Sequence, residues 1–288
     1  MRYHTPTTFA DAARVSAAAE GVTRFLAGGT DVLVQLRSGT VRPDDLIDVK
    51  HIPGVREIER TSDGGWRIGI AVSGIELGRH TELVADWPGV VEGMELVGST
   101  QVQGRATLTG NLCNGSPAAD GVPGLVAAGA TVTVMGPDGT REVAVEEIPT
   151  APFKTSLKAG ELISAITLPP RGKNGGDAYL RFIPRTEMDI AVVGCAVNIV
   201  LDGDTISTAR VSLGAVAPTV ILVPDAAKAI EGTTLDETAL DKLAAAASAA
   251  CKPIDDKRGT IEFRTEVAGV LARRAARIAY DRAKGASA

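Results

Sequence analysis

Two segments of the sequence carry residue types that suit the binding of a phosphorylated ligand. The first runs Leu26-Ala27-Gly28-Gly29-Thr30-Asp31 and places two consecutive glycines between a predicted strand and a predicted helix. Because glycine has no Cβ, the backbone N–H groups of such a loop can face a ligand and form a concave anion site. The segment contains neither a G-x-G-x-x-G fingerprint nor a Gly-Lys-Ser/Thr phosphate loop. Taken alone, it is also compatible with an ordinary tight turn.

The second segment, residues 107–120, is polar and holds little that would fill a hydrophobic core. It contains two Thr, two Asn, two Gly, one Ser and one Asp. We predict a long loop that either projects into solvent or wraps a polar ligand, because long loops inside compact domains are usually functional. Its side chains suit sugar hydroxyls and uncharged contacts to phosphate. Two such segments on different α/β units can together hold an extended dinucleotide.

Neither segment offers a pair of side chains that would act as nucleophile and base. The three histidines, His4, His51 and His80, lie outside both segments and show no metal-ligand spacing. The three cysteines are far apart, with no C-x-x-C pair, so we expect reduced thiols and no four-cysteine iron–sulfur cluster. We therefore predict no catalytic side chain and no metal ligand in this chain.

Composition and charge argue against several classes of protein. A net charge of −5 and an aromatic content of 3% argue against nucleic-acid binding, which uses basic and stacking surfaces. No apolar run approaches the roughly 20 residues of a membrane span. The first residues show no basic-then-apolar signal pattern, so we expect a cytoplasmic protein.

Hydrophobic periodicity and turn residues divide the chain into three units and predict an α+β fold. Residues 1–54 indicate a β-α-β unit, residues 55–170 a second unit of hairpins and helices, and residues 171–288 a sheet backed by two helices. The Gly-rich residues 171–176 are the predicted linker. The predicted helices cover residues 8–20, 32–37, 236–250 and 260–283, and residues 75–97 carry helical periodicity that is interrupted at Trp87-Pro88-Gly89.

The last predicted helix carries several arginines in an otherwise acidic chain. They are Arg273, Arg274, Arg277 and Arg282. One interpretation is a solvated helix face, and the other is that some of these arginines pair with an acidic partner chain. In the first interpretation the apolar residues turn inward, namely Val267, Val270, Leu271 and Ile278.

The two polar segments, together with three further motifs, resemble a known family. They are similar to the FAD-binding medium subunit of the molybdenum hydroxylases, which include xanthine dehydrogenase, carbon monoxide dehydrogenase and aromatic and aldehyde oxidoreductases. The resemblance covers nearly the whole chain. Two departures are Thr109, where the family often has glycine, and Gln103, where many members have arginine. The further motifs are Gly160-Glu161-Leu162-Ile163, Arg185-Thr186-Glu187-Met188-Asp189-Ile190-Ala191-Val192 and Arg258-Gly259-Thr260-Ile261-Glu262-Phe263-Arg264.

The resemblance implies a fold and a set of FAD contacts. Two α/β subdomains of the PCMH type would clasp FAD, followed by a C-terminal domain with a small antiparallel sheet and helices. The first segment would cradle the pyrophosphate, and the second would complete the pyrophosphate and ribityl contacts. Ile190 would cover one face of the isoalloxazine, although the residue pattern alone favours a buried strand residue there. The implied contacts are Leu26, Ala27, Gly28, Gly29, Thr30, Asp31, Val32, Thr107, Thr109, Gly110, Asn111, Ser116, Asp120, Leu162, Ile163, Arg185 and Ile190.

The resemblance also implies a role within a larger complex. A large partner subunit would hold the molybdenum cofactor, and a small partner subunit would hold two [2Fe–2S] clusters, in a dimer of heterotrimers. This chain's FAD would accept the electrons and pass them to NAD⁺, oxygen or a quinone. One alternative is a stand-alone FAD oxidoreductase of the same superfamily, and another is a non-catalytic nucleotide-binding module. Covalent stand-alone types often use a histidine near the first glycine loop, and none lies between His4 and His51.

Overall fold

The computed structural model describes residues 1–185 and 187–285 and confirms the predicted α+β class. In the described residues the strands form a three-stranded, a five-stranded and a four-stranded sheet, together with a separate two-stranded hairpin. Helices pack against all three larger sheets.

The first unit is a small parallel sheet with two helices, as the sequence predicts. Its strand order is β1-β3-β2, and all four residues of the central strand β3 are buried. Gly39 ends α2 in a left-handed conformation, with φ +73°, which is the expected role of a glycine after a helix. The elements are β1 (Arg2–His4), α1 (Phe9–Ala17), β2 (Thr23–Leu26), α2 (Val32–Ser38) and β3 (Asp45–Asp48).

The second unit is an antiparallel sheet of order β4-β5-β10-β6-β7 with six helices. Its strands are β4 (Ile58–Arg60), β5 (Trp66–Gly69), β6 (Thr131–Gly136), β7 (Gly139–Ala144) and β10 (Leu162–Leu168), and β8 (Pro149–Ala151) pairs with β9 (Lys154–Thr155). The helices are α3 (Gly74–Arg79), α4 (Thr81–Asp86), α5 (Pro88–Glu95), α6 (Thr100–Gln103), α7 (Leu108–Cys113) and α8 (Gly121–Ala128).

The polar segment 107–120 is not a long loop, and this prediction is wrong. Its first half forms the helix α7. Thr107 is the N-cap, and its Oγ1 accepts a hydrogen bond of 2.9 Å from the N–H of Gly110. Threonine, asparagine and glycine weaken a helix interior but favour its ends, so a short helix made largely of such residues has no periodic pattern to reveal it.

The third unit is an antiparallel sheet of order β11-β12-β13-β14, covered by helices. Its strands are β11 (Gly175–Phe182), β12 (Val193–Asp202), β13 (Thr205–Gly214) and β14 (Ile221–Leu222). Its helices are α9 (Pro224–Lys228), α10 (Glu237–Ala249) and α11 (Ile261–Ala283). The two long helices begin within one residue of their predicted starts, at the N-caps Asp236 and Thr260.

Buried apolar residues form two main hydrophobic cores. The first core contains Ile47 of the first unit together with Trp66, Leu125 and Ile166 of the second. The first two units therefore share one core, and the predicted boundary after residue 54 falls inside it. The second core belongs to the third unit and includes Ile199, Leu243 and Ala272.

The predicted linker, residues 171–176, leads from β10 of the second unit into β11 of the third, and it is packed rather than free. The guanidinium of Arg171 lies over the ring of buried Trp87 at 4.1 Å from the centroid and donates to Asp177 Oδ1 at 2.7 Å. Gly176 belongs to β11, and a Cβ there would collide with the backbone of α11. Gly176 therefore serves close packing between β11 and α11.

Most of the arginines on α11 have partners within this chain. Arg273 pairs with Glu237 and Asp241 of α10, Arg277 also pairs with Glu237, and Arg282 pairs with Glu92 of α5. Arg274 is exposed, and pairing of such an arginine with a partner chain stays a prediction. The inward-facing prediction holds for Leu271, whereas Val270 is exposed. Among the described residues no helix is long and apolar enough to cross a membrane.

Candidate functional site

The first glycine segment is a loop with unpaired backbone donors. It connects the end of β2 to the start of α2, so it lies at the carboxyl edge of the parallel sheet. The backbone N–H groups of residues 28–31 donate to no other group that the structure describes. Gly29 has φ +81°, a conformation that costs glycine little and other residues more. Four adjacent free amides form a donor set that suits a phosphate or pyrophosphate.

Gly28 has a different role from the one that the sequence suggests. A Cβ on this residue would collide with the carbonyl oxygen of Arg105, just before α7. Backbone cannot move aside as a flexible side chain can, so the absence of a side chain at Gly28 allows the loop to approach the second polar segment. The first segment thus packs directly against the backbone that leads into the second segment.

Side-chain hydrogen bonds also connect the two segments. Nδ2 of Asn114 donates to Oδ1 of Asp31 at 3.2 Å, and Nε2 of Gln35 donates to Oδ1 of Asn114 at 3.3 Å. Asn114 follows α7, whereas Asp31 and Gln35 lie at the start of α2 and within it. The structure therefore places the two predicted segments side by side.

Several polar side chains of the second segment are partly used in local structure. Thr107 caps α7, Oδ1 of Asn111 accepts from the N–H of Gly121 at 3.0 Å, and Oγ of Ser116 accepts from the N–H of Ala118 at 3.2 Å. The amide nitrogen of Asn111 has no partner among the described residues, so it is a donor that remains for a ligand. Thr109 is buried and Gly110 is half-buried.

Asp120 is held by two residues of the third unit. Its two carboxylate oxygens accept hydrogen bonds of 2.7 Å from the hydroxyl of Tyr179 and from Nη1 of Arg181, both on β11. Burial raises the pKa of Asp120 above its ordinary value, while these two donors act in the opposite direction and favour the carboxylate. Asp120 therefore connects the second segment to the C-terminal sheet.

The remaining predicted contacts fall in two places. Leu162 and Ile163 are buried in β10 and belong to the first core. Arg185 has an exposed side chain that pairs with Asp189 at 3.1 Å, and Ile190 is 50% exposed. The pattern-based alternative, a buried strand residue at Ile190, is therefore wrong. Thr186 of this motif lies outside the described residues.

A buried arginine links the region of Ile190 to the second segment. Nη1 of Arg264 donates to the backbone oxygens of Val192 at 2.7 Å and Ala215 at 3.2 Å. The N–H of Ala215 in turn donates to the oxygen of Pro117 at 2.7 Å. This chain of hydrogen bonds connects three parts of the candidate site through the third unit.

Sequence reasoning missed several residues that build this site. Gln35, Arg105, Tyr179, Arg181 and Arg264 each hold one segment against another, but nothing in their spacing indicates it. Asn114 lies inside the polar segment, and the polar composition of that segment was the one sequence feature that could have indicated its role. Phe153 is a further case: its N–H donates to the oxygen of Gly115 at 2.8 Å, and its side chain is 70% exposed at φ +60°.

A parallel β-α-β unit with a free glycine loop, next to a second polar segment, has the arrangement of a dinucleotide-binding protein. Comparison with known proteins makes the class specific. Residues 1–171 match a family model described as the FAD binding domain in molybdopterin dehydrogenase. Residues 178–279 match one described as the CO dehydrogenase flavoprotein C-terminal domain.

Individual relatives match over nearly the whole chain. The carbon monoxide dehydrogenase medium chain of Afipia carboxidovorans is 34% identical over 286 residues, 98% of this chain and 97% of the relative. The putative xanthine dehydrogenase FAD-binding subunit of Escherichia coli is 30% identical over 263 residues, 91% and 90% of the two chains. The crystal structure of Cu,Mo-CO dehydrogenase in its cyanide-inactivated form superposes with a TM-score of 0.93 at 32% identity, covering 98% of each chain.

The chain belongs to the FAD-binding subunits of the molybdenum hydroxylase family. The family resemblance found in the sequence is confirmed. FAD is the cofactor of the family's first domain, and the relatives are subunits of oxidoreductases.

Proposed function

We propose that this chain binds FAD and serves as the electron-transfer subunit of a molybdenum-dependent hydroxylase or dehydrogenase complex. Electrons would arrive from [2Fe–2S] clusters on a partner subunit and leave to an external acceptor. The observation that carries the proposal is the row of free backbone amides at residues 28–31, held against the second polar segment. The match to FAD-binding relatives over the whole chain supports it.

The first loop would bind the pyrophosphate of FAD. Its amides are fixed by the packing of Gly28 on Arg105 and by the left-handed conformation of Gly29. They therefore need no rearrangement to meet two phosphates, and preorganised donors lose little entropy on binding. The residues that would contact FAD here are the whole first segment and the residue after it, namely Leu26, Ala27, Gly28, Gly29, Thr30, Asp31 and Val32.

The second segment would bind the uncharged part of the cofactor. The amide group of Asn111 and the hydroxyl of Ser116 can donate to sugar or ribityl oxygens while their acceptor atoms stay in local turns. Thr107, Thr109, Gly110 and Asp120 form the rest of this wall, and Leu162 or Ile163 would lie behind the ring systems. Bound FAD supplies the redox chemistry, and the protein supplies binding and orientation.

Ile190 and Arg185 would lie at the isoalloxazine. Ile190 exposes half of its surface although it is a large aliphatic residue, and covering it with a flat ring would remove apolar surface from water. Asp189 holds the guanidinium of Arg185 through two hydrogen bonds, of 3.1 and 3.2 Å. Arg185 can therefore present positive charge at the flavin edge in a fixed orientation.

The partners would be a large molybdopterin subunit and a small [2Fe–2S] subunit, in a dimer of heterotrimers located in the cytoplasm. The relatives named as medium chains support a multi-subunit assembly. No catalytic side chain is required of this chain, because the substrate would be oxidised on the large subunit.

Size-exclusion chromatography of the natively purified protein tests this assembly. We expect a mass well above that of one chain, with flavin and iron–sulfur absorbance eluting together with two further chains. A fully flavinylated monomer without partners would contradict the proposal. Oxidation of xanthine or carbon monoxide by the isolated, FAD-loaded chain would instead favour a stand-alone oxidoreductase.

A further inference from the structure

The carboxylate of Asp120 is enclosed by two donors from a different unit of the protein. The hydroxyl of Tyr179 and Nη1 of Arg181 each lie 2.7 Å from one of its oxygens. The side chains of Arg181 and Asp120 are 6% and 8% exposed, and Tyr179 is buried. Water therefore screens this ion pair weakly.

We propose that Tyr179 and Arg181 are positioning residues for FAD, which act by holding Asp120 and neutralising its charge beside the cofactor. FAD affinity in the first two units would then depend on the C-terminal sheet. The inference rests on the proposed FAD binding and adds residues to that site.

Asp120 is the last residue of the second segment, so a contact that holds Asp120 also holds that segment. Asp120 directly precedes Gly121, whose N–H donates to Oδ1 of Asn111 at 3.0 Å. A shift of Asp120 would therefore move a predicted FAD contact. At Pro117 the same segment accepts a hydrogen bond of 2.7 Å from the N–H of Ala215. The third unit thus holds this segment at two points.

Charge gives the pair a second effect. FAD carries negative charge on its pyrophosphate, and an uncompensated buried carboxylate in the wall of the same site would disfavour its binding. Arg181 compensates that charge inside the protein, where Coulomb interactions are strong. Removing Arg181 alone would leave Asp120 with one donor fewer and with an uncompensated negative charge.

Strand β11, which carries both donors, is itself anchored to the second unit. The N–H of Tyr179 donates to Oε2 of Glu92 at 2.8 Å, and Oε1 of the same carboxylate pairs with Arg282 of α11. Strand β11 therefore holds Tyr179 and Arg181 in place, as a positioning role requires.

FAD titration of variants, followed by the change in flavin fluorescence, tests the proposal. We expect Arg181→Met to raise the Kd for FAD at least about tenfold, because it strands a buried carboxylate. The double variant Arg181→Met/Asp120→Asn should recover part of the lost affinity, because the stranded charge is gone while the hydroxyl of Tyr179 can still donate to the oxygen of residue 120. A role in folding alone predicts no such recovery of affinity once both proteins are shown to be folded by circular dichroism.

Tyr179→Phe is the milder variant and removes one hydroxyl. We expect a smaller rise in the Kd for FAD and an altered visible circular dichroism spectrum of the bound flavin. Arg273→Met is the matched control, since Arg273 pairs with residues of α10 away from Asp120. It should bind FAD as the wild type does.

The outcomes separate the two proposals. If the wild type binds FAD and Arg181→Met binds it equally well, the positioning role is wrong. The same holds if the double variant binds no more tightly than Arg181→Met although both are folded. If the wild type binds no FAD, the proposed function itself fails.

Discussion

At the scale of the residue, substitution of Gly29 tests the FAD proposal most directly. Its φ is +81°, and a Cβ there would also press on the side chains of Leu26 and Leu33. We expect Gly29→Val to distort the free amides and to weaken FAD binding at least about tenfold, since valine in this conformation is strained. Equilibrium dialysis with FAD measures the loss.

Gly232→Val is the matched control for backbone strain. Gly232 has φ +77°, has no atoms within 4 Å of an added Cβ and lies in the third unit. It should lose some stability and retain FAD affinity. Stoichiometric FAD in Gly29→Val would show that the first loop is assigned wrongly.

Asp45 lies on β3, the central strand of the parallel sheet that carries the first loop, and its charge offers a test of what stabilises that sheet. Hydrogen bonds from Arg2 and then His4 lower the pKa of this buried β3 residue to about 2, from an ordinary value of 3.8. A depressed folded-state pKa stabilises the protein above the unfolded-state pKa, and this contribution is lost as the pH falls towards the folded-state value.

Asp45→Asn should therefore reduce the free energy of unfolding at a pH of about 6, and the difference from wild type should shrink between a pH of about 4 and about 2. Urea unfolding at several pH values measures this difference. A difference that stays constant down to a pH of about 2 would show that the ion pairs do not act through the charge of Asp45.

Sequence reasoning identified the chemistry of individual residues better than their contacts. The glycine loop was found because consecutive glycines between a strand and a helix have a limited set of uses. The packing of Gly28 on Arg105 and the bonds to Asp120 were not found, because they join residues distant in the chain. For Ile190 the residue type itself misled, because its apolar character predicted burial and the structure leaves it half exposed.

At the scale of the element, Asn114 determines how α2 and α7 stand relative to each other. It hydrogen-bonds both Asp31 and Gln35. We expect Asn114→Ala to raise the Kd for FAD about threefold to tenfold, because net hydrogen bonds of this kind contribute roughly 0.5–1.5 kcal/mol each. Isothermal titration calorimetry gives the change in affinity directly.

Asn174→Ala provides the control for this substitution. Asn174 donates to the backbone oxygen of Leu201 at 3.4 Å, within the third unit. It should leave FAD affinity unchanged. Unchanged affinity in Asn114→Ala as well would mean that backbone packing alone holds the two segments together.

The two long C-terminal helices were predictable because each follows a regular apolar pattern that begins at a capping residue. Thr260 and Asp236 are such caps. The helical region 75–97 is three helices, α3 to α5: the predicted interruption at Trp87 is present, and a further break at His80, which leaves the helical conformation, was not predicted. Helix α7 could not be predicted, since its residues favour caps over helix interiors.

At the scale of the whole molecule, Arg171 joins the two hydrophobic cores. It donates to Asp177 and to Asn198 of the third unit and also contacts Trp87 and the backbone of Asp86 in the second. We expect Arg171→Met to lower the free energy of unfolding by about 3–5 kcal/mol, because it strands the buried carboxylate of Asp177. Guanidinium unfolding followed by tryptophan fluorescence measures this loss.

Lys228→Met removes an exposed cation instead and should cost less than about 1 kcal/mol. Its partner Asp225 is also exposed, so the carboxylate that remains in the variant stays in contact with water. Equal losses of stability in the two variants would contradict the view that the junction between the cores depends on Arg171.

The central claim is that this chain carries FAD, and the identity of the released flavin tests it most directly. The first loop offers free amides that suit a pyrophosphate, and a second polar segment lies beside it, which together suit a dinucleotide better than a flavin mononucleotide. Natively purified protein should be yellow and, on denaturation, should release FAD in a ratio close to one per chain, as measured by chromatography of the supernatant. Release of FMN, or no flavin even after incubation of the folded protein with FAD, would contradict the account.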